Sequence, residues 1–294
     1  MTRTILVLGR NGQVARELAD LGPPPGFDLV FAGRERFDLM TGDPAALVAE
    51  ASPAAVINAA AYTAVDKAES EPDAAFRLNR DIPGALAAAC ALRGIPLAHF
   101  STDYVFDGDK PEPYVEDDPI APRSVYGRSK AEGEAALLEA GGLGAVLRTS
   151  WVYSAHGANF VKTMLRLAET RDTLGVVADQ LGRPTWARDC AEGALILVQA
   201  LLQPAPPALQ VFHLSGAGDA TWADFAEAIF QQSAARGGRR PAVNRIATAD
   251  YPTPARRPAN SRLDSRRIER VLGVASRPWR EGLAGCFEAM AAAS

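Results

Sequence analysis

A tyrosine and a lysine stand four residues apart in the stretch SVYGRSKAEGEAALL, which begins at Ser124. The chain has six tyrosines and only four lysines, so the spacing of Tyr126 and Lys130 carries information. Residues at i and i+4 share one face of a helix. A phenol is a poor acid–base group at neutral pH, and a nearby ammonium favours the phenolate. The pair suits protonation of a carbonyl oxygen as it receives a hydride, although an incidental surface pair would look the same.

Two hydroxyl groups lie at the end of a predicted strand in HFSTDYVFDG. Ser101 and Thr102 follow the apolar residues of that strand directly. Open α/β sheets bind their ligands at the carboxyl ends of the strands. A hydroxyl at this place can donate a hydrogen bond to the carbonyl that Tyr126 protonates.

A glycine-containing turn, GRNGQVA, separates the first predicted strand from the first predicted helix. Gly9 permits a tight turn, Gly12 lets a pyrophosphate approach the backbone, and Ala15 allows close packing of helix on strand. The N–H groups and the dipole at the helix N-terminus favour an anion there. The turn predicts a dinucleotide site, although many glycine turns bind nothing.

The coenzyme preference is predicted from AGRER, which follows the second strand. Gly33 stands where an acidic residue would bind a ribose 2′-hydroxyl, and Arg34 follows it. An arginine accommodates a 2′-phosphate, so NADPH is predicted and NADH stays possible. The alternative is a solvated loop arginine. The small residues of NAAAYT, after the third strand, would let a flat nucleotide lie against the chain.

The elements that must position these residues are short apolar strands alternating with helices. Strands are predicted at residues 4–9, 27–33, 54–61 and 144–153. Another strand, the fourth in chain order, is predicted to run through residue 100. The alternation indicates right-handed βαβ units, and the continuous apolar strands indicate a sheet covered on both faces. The predicted fold class is α/β, a Rossmann-type doubly wound parallel sheet with a smaller C-terminal substrate-binding portion.

The alternation ends after about residue 154. Residues 1–153 are predicted to form a dinucleotide-binding domain, and residues 154–294 mainly the substrate portion. A strand near 209–216 is predicted to return to the main sheet. Further helices are predicted at about 188–202, 221–236 and 278–292.

Composition excludes several classes of protein. The 294 residues carry 31 basic and 35 acidic side chains, a net charge of −4, so neither nucleic acid nor an anionic membrane is expected as a partner. The three scattered cysteines form no disulfide framework or zinc motif. No apolar run approaches the roughly 18 residues of a membrane span, and the expected location is the cytoplasm.

Eight blocks of the sequence, from residue 4 to about 280, are more specific than the triad of hydroxyl, tyrosine and lysine. Their order and spacing resemble the dTDP-4-dehydrorhamnose reductase family, in the extended branch of the short-chain dehydrogenase/reductase superfamily. The resemblance implies NADPH-dependent reduction of the C4 ketone of dTDP-4-dehydro-β-L-rhamnose, the last step towards dTDP-L-rhamnose. The blocks are GRNGQVARELA, NAAAYTAVDKAESEP, STDYVFDG, VYGRSKAEGE, RTSWVY, NFVKTMLRLA, DQLGRPT and YPTPARRPANSRL.

The family's functional residues map onto named positions of this chain. The resemblance makes Thr102 the hydroxyl donor, Tyr126 the proton donor and Lys130 the lysine that holds the nicotinamide ribose and the phenol. The resemblance maps cofactor contacts to Gly12, Gln13, Val14, Asp38, Leu39, Ala61, Tyr62 and Thr63. Gly9 and Arg34 are also predicted as cofactor residues. Contacts with the dTDP-sugar map to Thr102, Asp103 and Trp151, and the C-terminal region adds Asp179, Gln180, Arg257 and Asn260.

Some family members form a magnesium-bridged dimer through three glutamates. Glu17 matches the first, but the second position holds Arg188, whose charge would repel the metal. We therefore predict no metal site and leave a homodimer open. The alternatives to the predicted activity are a reductase of another deoxysugar nucleotide, an epimerase or dehydratase that shares the triad, and a non-catalytic, dinucleotide-binding regulatory relative.

Overall fold

The computed structural model describes residues 2–207 and 210–292. Its strands are β1 (Arg3–Leu8), β2 (Phe27–Ala32), β3 (Ala55–Asn58), β4 (Leu97–Thr102), β5 (Gly144–Thr149), β6 (Val152–Tyr153), β7 (Thr173–Val177), β8 (Leu181–Gly182), β9 (Thr185–Trp186), β10 (Val211–His213), β11 (Ala220–Thr221) and β12 (Ala242–Ile246). Its α-helices are α1 (Gln13–Leu21), α2 (Pro44–Ala51), α3 (Val65–Ala68), α4 (Pro72–Phe76), α5 (Ile82–Ala91), α6 (Val125–Ala140), α7 (Phe160–Ala168), α8 (Ala187–Leu201), α9 (Trp222–Ala234), α10 (Arg266–Leu272) and α11 (Trp279–Ala292).

Six parallel strands form the main sheet in the order β10-β5-β4-β3-β1-β2. The strand order reverses at β1, which lies between β2 and β3, and a crevice opens at such a switch point at the carboxyl ends of the strands. This arrangement confirms the predicted α/β fold class. The late strand β10 pairs with β5 along Val146–Arg148, while Leu209 of the predicted strand lies outside the described residues.

Both faces of the sheet are covered by helices because successive residues of its strands point to opposite sides. Ile5 and Val7 of β1 pack in one core cluster with residues of α1 and α8, such as Leu18 and Leu197. Leu6 and Leu8 pack in another cluster with residues of α2, α5 and α6, namely Leu47, Leu86 and Leu137.

The C-terminal portion has a core of its own. Helices α7, α9 and α11 surround the parallel pair β7 and β12, with Phe225, Phe230 and Trp279 buried between them. However, α8 and β10 belong to the packing of the main sheet although they follow residue 154 in the chain. The division at 153/154 stays a prediction. No helix in the described part of the chain combines the length and apolarity that a membrane crossing needs.

Two predicted strands are shorter in the structure, for local reasons. The segment predicted at 144–153 breaks because Trp151 has φ +50°, a left-handed conformation that no strand accommodates. The segment predicted at 54–61 ends at Asn58, whose Oδ1 accepts a hydrogen bond from the N–H of Ala60 at 3.2 Å and turns the chain.

Candidate active site

A cavity of about 720 Å³ lies at the carboxyl ends of the central strands. Its walls come from the segments that follow β1, β2, β3, β4 and β5, from the first two turns of α6, and from Trp222 and Arg257 of the C-terminal portion. The fold therefore brings residues that are far apart in sequence to one site, at the place where ligands bind in open α/β sheets.

The glycine turn after β1 forms one wall of the cavity. Gly9 has φ +96°, and a Cβ there would lie 3.0 Å from the backbone of Ala60, so the position requires glycine. Gly12 is the N-cap of α1, and no side chain caps this helix. Because the helix start faces the cavity without a side-chain partner, it suits a pyrophosphate, and Gln13 and Val14 also line it.

Two arginines line the cavity beside the segment that follows β2. Arg34 lines it as predicted, and Arg10, from the turn after β1, lies against Gly33: a Cβ on Gly33 would be 3.1 Å from the Cβ of Arg10. Sequence reasoning missed Arg10, although it lies inside the glycine motif itself. Two guanidinium groups beside a residue without a carboxylate suit a 2′-phosphate.

The remaining predicted cofactor residues divide into two groups. Asp38, Leu39, Ala61 and Thr63 line the cavity. Tyr62 does not: its hydroxyl donates to Glu71 at 2.8 Å. Its backbone N–H and C=O both bond to the Asn79 side chain.

The predicted catalytic residues converge at the base of the cavity. Thr102 ends β4 and lies across from the first turn of α6, where Tyr126 follows the N-cap Ser124. The Thr102 hydroxyl is near enough to lower the pKa of Tyr126, and both residues line the cavity with Lys130. The helix lies close to its neighbours because it has Gly127 and Gly133 at its contacts; a Cβ on Gly133 would be 1.9 Å from the Asn79 carbonyl.

The electrostatics of the tyrosine and the lysine differ from the sequence expectation. Burial raises the pKa of Tyr126 well above its ordinary value, and the bond with Thr102 offsets only part of this. The Lys130 ammonium does not lower it, because Nζ bonds to the Phe100 carbonyl at 2.5 Å and lies 3.2 Å from His99 Nε2. Burial lowers the pKa of Lys130 to about 8.

A buried carboxyl group lies beside the triad. Asp103 Oδ1 accepts a hydrogen bond from the Thr102 hydroxyl at 3.0 Å. Burial raises the pKa of Asp103 to about 6, and bonds to Ser261 and Thr102 oppose the rise. Within the described residues, Asp103 Oδ2 and Ser101 Oγ are buried without a hydrogen-bond partner, although both residues line the cavity. Such atoms fit polar groups of a bound ligand.

Two stacked tryptophans form another part of the cavity wall. Trp151, in its left-handed conformation, stacks on Trp222 with ring centroids 3.6 Å apart. The stack fits only because residue 182 is glycine, where a Cβ would lie 2.2 Å from the Trp151 ring. Sequence reasoning found Trp151 but missed Trp222, since nothing around it distinguishes it from a core aromatic residue.

One of two neighbouring arginines in the C-terminal portion reaches the cavity. Arg257 donates to the Tyr104 hydroxyl at 3.0 Å and to Asp66 at 2.6 Å, and it lines the cavity. Arg256 pairs with Asp109 and is 58% exposed in its side chain, so it belongs to the solvated loop. Of these two arginines, Arg257 is therefore the one that lines the cavity.

Three predicted substrate residues do not line the cavity in this conformation. Asp179 accepts hydrogen bonds from Thr248, and Gln180 joins Thr248 to the Trp222 indole. Asn260 donates to the carbonyls of two residues of the loop after β4, Lys110 at 2.6 Å and Glu112 at 2.8 Å. Gln180 therefore acts on the cavity through Trp222, and Asn260 ties two loops together.

The position of Glu17 bears on the predicted absence of metal. Ligand atoms of Glu17, Asp20 and His156 lie within 4.8 Å of one another, a spacing that could hold an ion. However, Arg188 Nη1 lies 3.6 Å from Glu17, and Ser154 donates to Glu17 at 2.6 Å. The prediction that no metal binds here stays a prediction, and the arginine beside Glu17 is its physical basis.

Comparison with known proteins gives a consistent result over the whole chain. Residues 2–292 match the family model described as RmlD substrate binding domain. The dTDP-4-dehydrorhamnose reductase of Sinorhizobium fredii is 50% identical over 279 residues, covering 94% of each chain. That of Burkholderia thailandensis is 46% identical, covering 96% of this chain and 97% of its own.

A solved structure agrees with these sequences. The dTDP-4-dehydrorhamnose reductase of Bacillus anthracis, solved in complex with NADP, superposes with a TM-score of 0.90 at 34% identity. The match covers 98% of this chain and 100% of that one. On the family model, the relatives and the shared fold together, the chain belongs to the dTDP-4-dehydrorhamnose reductase family.

Proposed function

We propose that this protein reduces the C4 ketone of dTDP-4-dehydro-β-L-rhamnose to dTDP-L-rhamnose with NADPH as the preferred reductant. The observation that carries the proposal is the convergence of Thr102, Tyr126 and Lys130 at the base of one cavity. The uncapped start of α1 and the tryptophan stack line the same cavity as this triad. Membership of the family supports the same substrate.

The coenzyme fits the glycine turn after β1, the start of α1 and the segment after β2. The start of α1 would hold the pyrophosphate, and Arg34 with Arg10 would hold the 2′-phosphate. Ser101 Oγ and Lys130 are placed for the nicotinamide end. When bound, NADPH supplies the hydride that reduces C4.

The chain's own residues handle the charge and the proton. The phenol of Tyr126 donates its proton to O4, and its raised pKa keeps it protonated until O4 becomes basic. With the substrate bound, the Thr102 hydroxyl would turn from Asp103 Oδ1 to donate a hydrogen bond to the same oxygen, which stabilises its developing charge. Lys130 then offsets the charge of the phenolate.

Arg257, Trp151 and Asp103 suit the sugar nucleotide. Arg257 would bind the diphosphate, for which a guanidinium offers two parallel donors. Trp151 offers an apolar ring face to the deoxysugar, and Asp103 Oδ2 is free to accept from a sugar hydroxyl. Dinucleotide and substrate would meet at Tyr126.

The test is oxidation of NADPH, followed at 340 nm by absorbance, with dTDP-4-dehydrorhamnose as substrate and the product identified by NMR. We expect dTDP-L-rhamnose. Equal turnover of a GDP-ketosugar would favour another deoxysugar reductase, and dinucleotide binding without turnover of any ketosugar would favour a regulatory role. A variant with Tyr126→Phe serves as the inactive control.

A further inference from the structure

A buried imidazole lies directly beneath the Lys130 amine. His99 is the third residue of β4 and is fully buried, with its Nε2 3.2 Å from Lys130 Nζ. The ring does not line the cavity, so it can influence a ligand only through the lysine. Neither the glycine motif nor the triad motif includes it.

The orientation of this ring is fixed from its other side by Asn58. The two residues are register partners on the neighbouring strands β3 and β4, and Asn58 Nδ2 lies 3.0 Å from His99 Nδ1. The amide cannot present its oxygen to the ring instead, because Oδ1 accepts the backbone N–H of Ala60. Asn58 therefore donates, and His99 Nδ1 accepts.

The tautomer of His99 follows from this contact. Burial, and then the neighbouring Lys130, lower the pKa of His99 well below 6.5, so the ring is neutral. A neutral imidazole has one N–H, and with Nδ1 accepting, the proton lies on Nε2. An N–H donor thus faces Lys130. An uncharged amine can accept this bond and still donate to the Phe100 carbonyl, whereas an ammonium has only donors.

We propose that His99 is a positioning residue that acts through Lys130: its fixed Nε2–H occupies the lone pair of the amine and so favours the uncharged form of Lys130. The proposal rests on the proposed function only for the role of Lys130 in the reaction. An amine that takes up a proton from solvent near neutral pH can pass that proton to the phenolate that Tyr126 becomes, so that Tyr126 is again a phenol and Lys130 again an amine.

The other charged groups around Lys130 do not account for this effect. Glu134 lies one turn further along α6 and raises the pKa of Lys130. Its carboxylate is already paired with Arg148 of β5 at 2.7 Å. Asp103 and Tyr126 line the same cavity as Lys130, but among the described residues no hydrogen bond joins either of them to Nζ, whereas His99 presents a fixed donor to it.

A first test uses the unsubstituted protein without ligands. The chain has three histidines, so ¹⁵N NMR of the imidazole nitrogens can assign each ring. We expect His99 as the Nε2–H tautomer. His213 provides an internal contrast: its Nδ1 lies 3.1 Å from the Tyr114 carbonyl, which only accepts, so it should be the Nδ1–H tautomer. An Nδ1–H or a protonated ring at His99 would overturn the proposal.

A second test follows Lys130 itself. With four lysines in the chain, ¹³Cε signals can be assigned by Lys130→Met and titrated against pH. In His99→Gln, the glutamine amide can turn its oxygen towards the ammonium. The titration midpoint of the Lys130 ¹³Cε signal should therefore rise by about one pH unit. His213→Gln, which removes the other fully buried imidazole, should leave it unchanged. An unchanged midpoint in His99→Gln would also refute the proposal.

Both measurements are made without coenzyme or substrate, so they are independent of the proposed activity. If Lys130 shifts as expected but no ketosugar is reduced, the proposed function fails and the role of His99 as a positioning residue stands. If the reductase is active and the midpoint does not move, only the inference about His99 fails.

Discussion

The coenzyme preference of this protein should depend on Arg34. In Arg34→Ala, the guanidinium that lines the adenosine end of the cavity is lost, while the glycine turn is unchanged. A charge-assisted hydrogen bond is worth roughly 1.5–3 kcal/mol, which is about a ten- to hundredfold preference for NADPH over NADH. Because Arg34 is exposed and salt screens it, we expect the lower part of this range at physiological ionic strength.

The assay is kcat/KM for NADPH and NADH at low and at high salt, with the ketosugar saturating. We expect Arg34→Ala to lose most of the preference, through a rise in KM for NADPH. Arg36→Ala is the matched control, since Arg36 lies two residues further along the same segment but pairs with Glu50 at 3.2 Å and does not line the cavity. Equal kcat/KM for both coenzymes in the unsubstituted protein at low salt would refute the assignment.

Gly33→Asp approaches the same preference from the other direction. An aspartate there would repel the 2′-phosphate and accept from a free 2′-hydroxyl, so the ratio should move towards NADH. A Cβ at this position would lie 2.9 Å from the Glu35 carboxylate, which can move away, and 3.1 Å from the Cβ of Arg10, so Arg10 must also shift slightly. If Arg34→Ala leaves a residual preference, Arg10 is the residue that we expect to carry it.

Four further outcomes are expected. Tyr126→Phe should lower kcat by about 10²–10⁴ while coenzyme binding, measured by fluorescence, is kept. Thr102→Val should cost less, since one neutral donor is lost and the proton source stays; a larger loss would exchange the two roles. Gly182→Ala should raise KM for the sugar nucleotide, because the added Cβ displaces Trp151. Gly175→Ala is the control and should leave KM unchanged, since its Cβ would lie 3.5 Å from the nearest atom. EDTA should change neither activity nor the sedimentation coefficient, because Arg188 lies beside Glu17; inactivation or dissociation on chelation would reveal a metal site.

Residues fixed by local rules were predictable from the sequence. The turn at Gly9 and the helix start at Gly12 belong to a short motif between the first strand and the first helix, and Thr102 follows from the end of its strand. Residues whose role depends on packing were not. Trp222 reaches the cavity because α9 packs across the C-terminal portion, and no pattern in its own helix indicates this.

The direction of a side chain was equally unpredictable. The spacing of Tyr126 and Lys130 indicated a shared helix face, but not that the amine would turn to His99 and the Phe100 carbonyl. That choice depends on β4, which lies far from α6 in sequence. Asn260 was predicted from a motif, yet its amide is used by the carbonyls of another loop.

The order of the strands affects how the chain can fold during its synthesis. The sheet edge at β5 stays open until β10 leaves the ribosome, more than sixty residues later, and α8 must emerge before the face that holds Ile5 and Val7 is covered. A nascent chain whose glycine turn and first five strands have already emerged therefore still exposes apolar surface and an unpaired sheet edge. We therefore expect this topology to slow folding until β10 and α8 have emerged, and to favour protection by a chaperone during synthesis.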